Sequence, residues 1–148
     1  RNPTYAEYRQ QIFSAIVLGI DRVLFWYDKW ATPAMKDLVD RMVGQIREIG
    51  PQMNNGITND PRIEASVSDR DQLVYRYGVA GGRHVLLAVN IANRTKLSGA
   101  TLSNVRFGLP SGVDSADITV LDENRTLAVV GREFTDTFVP FAVHIYIF

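Results

Sequence analysis

The periodicity of this chain changes near residue 51, and no single type of regular element spans that point. Before it, apolar residues recur at spacings of three and four, the period of a helix with one buried stripe. After it they alternate, the period of a strand with one buried face. The pattern predicts an α+β chain with its helices first and its strands afterwards, on 148 residues, enough for a domain with a core of its own.

Residues 4–18 are predicted as a helix. Tyr5, Tyr8, Ile12, Ala15 and Ile16 share a stripe, Glu7 sits early where the helix dipole favours a carboxylate, and Gly19 ends the run. RVLFWY, residues 22–27, is apolar on both faces and reads as a short buried strand. Thr32-Pro33 is a helix start, since threonine caps and proline at the first helical position loses no needed N–H. Met35, Leu38, Val39, Met42, Val43, Ile46 and Ile49 form the next stripe, expected to pack on a sheet. Lys36, Asp37, Asp40, Arg41, Gln45, Arg47 and Glu48 cover the opposite face, and Gly50-Pro51 is read as the stop.

QMNNGITNDP, residues 52–61, reads as a linker or long loop. Short alternating runs follow: Ile63, Ala65, Val67; Leu73, Tyr75, Tyr77, Val79; Val85, Leu87, Val89, Ile91; Val105, Phe107, Leu109; Ile118, Val120; Leu127, Val129; and the closing PFAVHIYIF. Gly81-Gly82 is placed as a hairpin turn. About seven or eight strands joined by such turns predict an antiparallel β-sandwich.

Composition narrows the function. Lysine plus arginine equals aspartate plus glutamate at 16 each, which argues against a general attraction to nucleic acid or anionic membrane. No apolar run approaches the roughly 20 residues of a membrane helix, and no secretory signal is visible. The chain starts at Arg1, which reads as a processed product or a fragment. Without cysteine there is no disulfide, thiolate metal site or cysteine nucleophile. His84 and His144 are too few and too separated for a zinc site and read as strand histidines. Asp60 and Asp69-Arg70-Asp71 lack calcium-loop spacing and read as turn residues. Asn93-Arg94-Thr95 and Asn124-Arg125-Thr126 match the glycosylation acceptor pattern but read as polar turns. Gly78, Gly81, Gly82 and Gly108 are not in a phosphate-cradling order, and Ser111 lies in a plain PSG turn. No cofactor and no metal are expected.

One parallel-type strand cannot make a sheet. RVLFWY either joins the sandwich or is the last strand of a larger α/β domain. In barrels of alternating strands and helices, function sits at the C-terminal ends of strands, and WYDKW, residues 26–30, lies there. A Trp26 indole offers a flat apolar face with a hydrogen-bonding edge, suited to stacking on a sugar ring. Asp28 and Lys29 can hydrogen-bond hydroxyls. Trp26 and Trp30 equally suit packing under a loop, and for Trp30 that reading leads.

The phrases EYRQQIFSAIVLGIDRVLFWYDKW (7–30), IREIGPQM (46–53) and FTDTFVPFAVHIYIF (134–148) together resemble the tail of a barrel-type (β/α)8 glycoside hydrolase, through its C-terminal β-sandwich domain. The resemblance covers essentially the whole chain. It implies a terminal helix–strand–helix of the barrel over residues 1–51, a linker over 52–61 and the sandwich over 62–148. It implies an oligo- or polysaccharide substrate, an upstream barrel of the same protein as partner, and a secreted or periplasmic rather than cytoplasmic location. Both catalytic carboxylates of such enzymes lie upstream of this point, so no catalytic residue is expected here. The carried-over role is a sugar platform at Trp26, with Tyr27 and Asp28 on the same wall. Asp28 as a catalytic acid departs from the family pattern and is read instead as paired with Lys29. The alternative is a stand-alone module, either binding carbohydrate on Tyr75, Tyr77 or Phe107, or purely structural. Alternation makes those three rings core residues.

Overall fold

A computed structural model describes residues 4–24, 32–67, 71–91 and 100–148. Helix α1 spans Tyr5–Val17. Thr4 caps it in a reciprocal box: the Thr4 hydroxyl accepts from the Glu7 N–H, and the Thr4 N–H donates to the Glu7 carboxylate at 2.7 Å. Gly19, at φ +97°, closes its C-terminus by donating to the Ile16 carbonyl. The buried stripe is Phe13, Ile16 and Val17, displaced from the expected one; Tyr5, Tyr8 and Ile12 pack at its edge.

Helix α2 spans Pro33–Asn54, with Thr32 capping the Met35 N–H and Pro33 in the first turn. The expected stop at Gly50-Pro51 does not occur. Proline inside a helix costs a hydrogen bond and a steric clash, about 3 kcal/mol in a helix interior, but one more turn buries Gln52 and Met53. The stretch read as a loop from residue 52 therefore begins with that turn and then contains strand β1, Ile57–Thr58. Gln45, expected on the polar face, is also buried, because it lies three residues after Met42 and four before Ile49. Residues 22–24 form no strand, and 25–27 lie outside the described residues, so the expected RVLFWY strand is not seen.

The remaining strands are β2 (Glu64–Ser66), β3 (Leu73–Ala80), β4 (Arg83–Asn90), β5 (Leu102–Gly108), β6 (Asp117–Val120), β7 (Arg125–Ala128), β8 (Glu133–Phe138) and β9 (Val143–Ile147). They make a six-stranded sheet in the order β1-β3-β4-β9-β6-β7 and a three-stranded sheet β2-β5-β8, with every pairing antiparallel. The β3–β4 hairpin turns at Gly81-Gly82, both at positive φ, as a twisted two-residue turn requires.

The result is three layers: helices, large sheet, small sheet. Between the sheets lie Leu86, Ala88, Val105, Phe107, Ile118, Phe134, Phe138 and Tyr146, among others. Between the helices and the large sheet lie Phe13, Val17, Met42 and Ile49 against Val85, Leu87, Val89, Val143 and Ile145. The α2 stripe thus packs on a sheet, as its pattern predicts. The central strand β4 is apolar on both faces because both are covered.

Candidate functional site

Trp26, Tyr27 and Asp28, with Lys29 and Trp30, lie outside the described residues. What is described is the approach to them. Past Gly19 the chain runs beside α2 and Arg76 of β3, and Leu18, Ile20 and Leu24 are 68%, 52% and 85% exposed. Beside them is a hollow of about 80 Å³ lined by Ile16, Val23, Ile46, Ile49 and Met53. Three large aliphatics within seven positions are thus exposed near a hollow whose apolar lining is interrupted by Asp21, Asn54 and Arg76.

Of the other candidate platforms, two resolve as core and Tyr75 is half-buried beside an open hollow lined also by Asn59, Ile63 and Leu73. Tyr77 and Phe107 are buried, and Tyr75 packs edge-on against Phe107 with its hydroxyl donating to the Ile63 carbonyl. Asp60 is fully buried and held by both the backbone and the guanidinium of Arg62, the closest contact being 2.6 Å. That hydrogen bonding holds its carboxyl below the usual aspartate range. Asp69, Arg70 and the Asn93–Thr95 motif lie outside the described residues. Asn124 sits in the β6–β7 turn at φ 50°. Among the described residues no group of acidic and histidine side chains is arranged to hold a metal ion, and no helix is long and apolar enough to cross a membrane.

The densest polar constellation was not singled out from the sequence. Arg125 on β7 donates through two nitrogens to Asp136 on β8, at 3.0 and 2.7 Å, and through Nε to Glu123 at 2.8 Å. His144 Nδ1 lies 2.5 Å from Glu123, and the Tyr146 hydroxyl donates to Asp136 at 2.8 Å. Asp136 belongs to the small sheet, while Tyr146 and Arg125 belong to the large one, so this carboxylate braces the two sheets. Burial pushes the Glu123 and Asp136 carboxyls up, yet the hydrogen bonds and charges of His144 and Arg125, with the Tyr146 hydroxyl on Asp136, bring both below their ordinary values. Asp136, with Glu123, raises the Arg125 guanidinium still further, and burial raises the Tyr146 phenol well above the usual range. Carboxylates held ionised, Asp136 bidentately by Arg125 and Glu123 between Arg125 and His144, are poor proton donors, so the cluster is suited to bracing rather than to acid catalysis. The sequence signal was slight: a histidine and a tyrosine two apart on the inward face of the last strand.

A second polar chain ties the helices to the sheet. Arg9 donates to the Val143 carbonyl at 2.6 Å and to Gln45 at 3.2 Å, and Gln45 donates to Asp122 at 2.7 Å. Burial lowers the Arg9 guanidinium, partly opposed by Tyr5, Glu123 and Asp122.

No protein-family model and no curated protein sequence matches the chain. Its fold is similar to part of a solved structure, the α-amylase of Anoxybacillus, described as providing insights into a new glycosyl hydrolase subclass, with a TM-score of 0.58 at 11% sequence identity. The match covers 96% of this chain and 32% of that one. At this identity the likeness is one of fold.

Proposed function

We propose that the chain is the C-terminal portion of a carbohydrate-active glycoside hydrolase. In this reading α1 and α2, the second running to Asn54, come from the end of a (β/α) barrel, and the β-sandwich that follows, with β1 on its large sheet, braces it. Trp26, Tyr27 and Asp28 stand on the wall of the sugar cleft, and the two catalytic carboxylates lie in the upstream barrel. The observation that carries this reading is the fold likeness: nearly all of the chain superposes on about a third of an α-amylase. The exposed patch at Leu18, Ile20 and Leu24 supports it, because an upstream barrel is a partner that such a patch fits. The stand-alone binding module is the weaker reading, since Tyr77 and Phe107 are buried and the half-buried Tyr75 is engaged by Phe107 and the Ile63 carbonyl.

The test is hydrolysis of linear α-glucan by the whole polypeptide that carries this chain, with and without Trp26→Ala. Loss of one sugar-stacking face is expected to lower kcat/KM by about fivefold to tenfold. Unchanged kinetics in an active enzyme remove Trp26 from the cleft, and a parent inactive on linear α-glucan and on a panel of other polysaccharides removes the hydrolase reading.

A further inference from the structure

The β6–β7 turn is held from two sides by adjacent carboxylates. Asp122 accepts from Gln45 of α2 at 2.7 Å, and Gln45 in turn accepts from Arg9 of α1 at 3.2 Å. Glu123 turns the other way, into the sandwich. Its Oε1 lies 2.5 Å from His144 Nδ1 on β9, and its Oε2 accepts from Arg125 Nε at 2.8 Å. The Glu123 N–H closes the turn on the Val120 carbonyl, and the Leu121 N–H donates to the Ile145 carbonyl of β9. The hold on Glu123 therefore acts one residue from the hold on α2.

Both nitrogens of the His144 ring face acceptors. Nδ1 faces Glu123, and Nε2 lies 3.3 Å from the Thr137 carbonyl of β8. A carbonyl and an ionised carboxylate only accept, so the ring satisfies both only when each nitrogen carries a hydrogen, as imidazolium. The surrounding charges call for the same form. Facing the ring are Glu123 from the turn, Arg125 from β7, Asp136 from β8 and the Tyr146 phenol from β9. Two carboxylates against Arg125 leave one negative charge, which an imidazolium cancels. Arg9 of α1, beyond Glu123, is offset by Asp122. Phe138 meets the imidazole edge-on at 4.7 Å and fixes its plane.

A second arrangement of the same groups is already in place. Arg125 Nη2 lies 3.3 Å from His144 Nδ1. Once Nδ1 loses its hydrogen it turns a lone pair on the Glu123 carboxylate and can accept from Arg125 instead, while Nε2 keeps its hydrogen for Thr137. Glu123 Oε1 is then released. We propose that His144 is a proton-operated clasp on the β6–β7 turn, closed on Glu123 as imidazolium and open when neutral, and that its opening slackens the Asp122–Gln45 tie between sandwich and helices. Closure also needs Glu123 ionised. Burial opposes this, but the hydrogen bonds and charges of His144 and Arg125 keep the Glu123 carboxyl below its ordinary value. The clasp is therefore closed in mild acid and lost as pH rises through the histidine titration, the opposite sign to the carboxylates.

The experiment is an NMR titration of the isotope-labelled protein from pH 5.5 to 8.5, on either side of the range of an ordinary imidazole, about 6.5. The ring nitrogens of His144 read its protons, the Gln45 side-chain amide reads the tie to α2, and the exchange protection factor of the Leu121 amide reads opening of the turn. Both ring nitrogens are expected to carry hydrogen at pH 5.5, and Nε2 alone at pH 8.5. The Gln45 amide should shift with the same midpoint. Leu121 protection should fall by roughly tenfold, the loss of one hydrogen bond to a charged group. His144→Gln, which cannot titrate, should abolish both responses, and His84→Gln, which removes the other histidine of the chain, should leave them. A His144 ring with a single hydrogen at pH 5.5 overturns the proposal, as does a titration that leaves the Gln45 amide or the Leu121 protection unchanged. Responses that persist in His144→Gln, or vanish in His84→Gln, overturn it too. The wild-type titrations decide the matter even if the His144 variant does not fold.

Discussion

Gly78 is the point where the helix layer rests on the large sheet. A methyl group built there would lie 1.9 Å from the Gln52 carbonyl oxygen and 2.7 Å from its carbon. Ordinary carbon contacts begin at about 3.5 Å, so Gly78→Ala forces the last turn of α2 to retreat by roughly 1.5 Å. That turn carries buried Met53 and Gln52, accepts from Arg76 Nε at the Met53 carbonyl at 2.9 Å, and donates from Gln52 to the Ala80 carbonyl at 3.3 Å. Overpacking costs about 1–3 kcal/mol, and two weakened hydrogen bonds add about 1 kcal/mol each. Removing a strand glycine returns about 0.5–1 kcal/mol. The expected net loss is therefore about 2–4 kcal/mol, a fall in Tm of roughly 5–15 °C for a chain of this length.

Urea unfolding followed by circular dichroism measures the loss directly, through the midpoint at unchanged slope. Gly81→Ala is the control. Its added methyl meets nothing within 4 Å, but its φ of +59° is strained for alanine, so it should cost only about 1–2 kcal/mol. If Gly78→Ala lies within about 0.5 kcal/mol of wild type, the last turn of α2 is not seated on β3 and the three-layer packing argued from it fails.

Other substitutions probe the polar ties and the core. Asp136→Ala leaves Arg125 and the Tyr146 hydroxyl without their shared acceptor, and should cost about 2–4 kcal/mol in the same unfolding assay. Phe107→Ala empties the centre of the sandwich, where Phe134, Phe138 and Tyr146 all meet the ring, and should cost about 3–5 kcal/mol. Acid should destabilise the fold through Asp60, Glu123 and Asp136. Their folded pKa values are depressed, so the unfolded chain binds protons first and the stability they confer is fully present above about pH 5. It is lost as pH falls through about 4 and below. A pH series of urea midpoints checks this, and Asp136→Ala should flatten the acid limb.

The sandwich was legible because its signals are local. Alternation over Leu73–Val79 and Val105–Leu109 marks inward faces, and two successive glycines at 81 and 82 can serve a two-residue hairpin. The helices were legible in existence and less so in detail. Pro51 is a stop by local rules, yet a helix continues where the next turn buries enough, and what it buries against is β3, far along the sequence. Gln45 looks like a surface residue until Arg9 and Asp122 arrive from α1 and the β6–β7 turn to satisfy it. The Asp136 brace is likewise a meeting of β7, β8 and β9, and no spacing within any one strand announces it. The sugar-wall reading at Trp26, Tyr27 and Asp28 came from residue type and resemblance alone, and these residues lie outside those described.

The change of periodicity near residue 51 separates two patterns, but the cores do not divide there. Val85, Leu87, Val89, Val143 and Ile145 of the sandwich strands are covered by α1 and α2. Exposing five such side chains costs about 1.5–3 kcal/mol each, together on the order of 10 kcal/mol, comparable to the whole stability of a typical domain. A chain truncated to residues 62–148 should therefore bind hydrophobic dye and self-associate, where residues 4–148 do neither to the same extent. Sedimentation with dye fluorescence reads both. A monomeric, cooperatively unfolding 62–148 chain would show that the helix layer is dispensable. The opposite result makes the helices an obligatory cover for the sandwich.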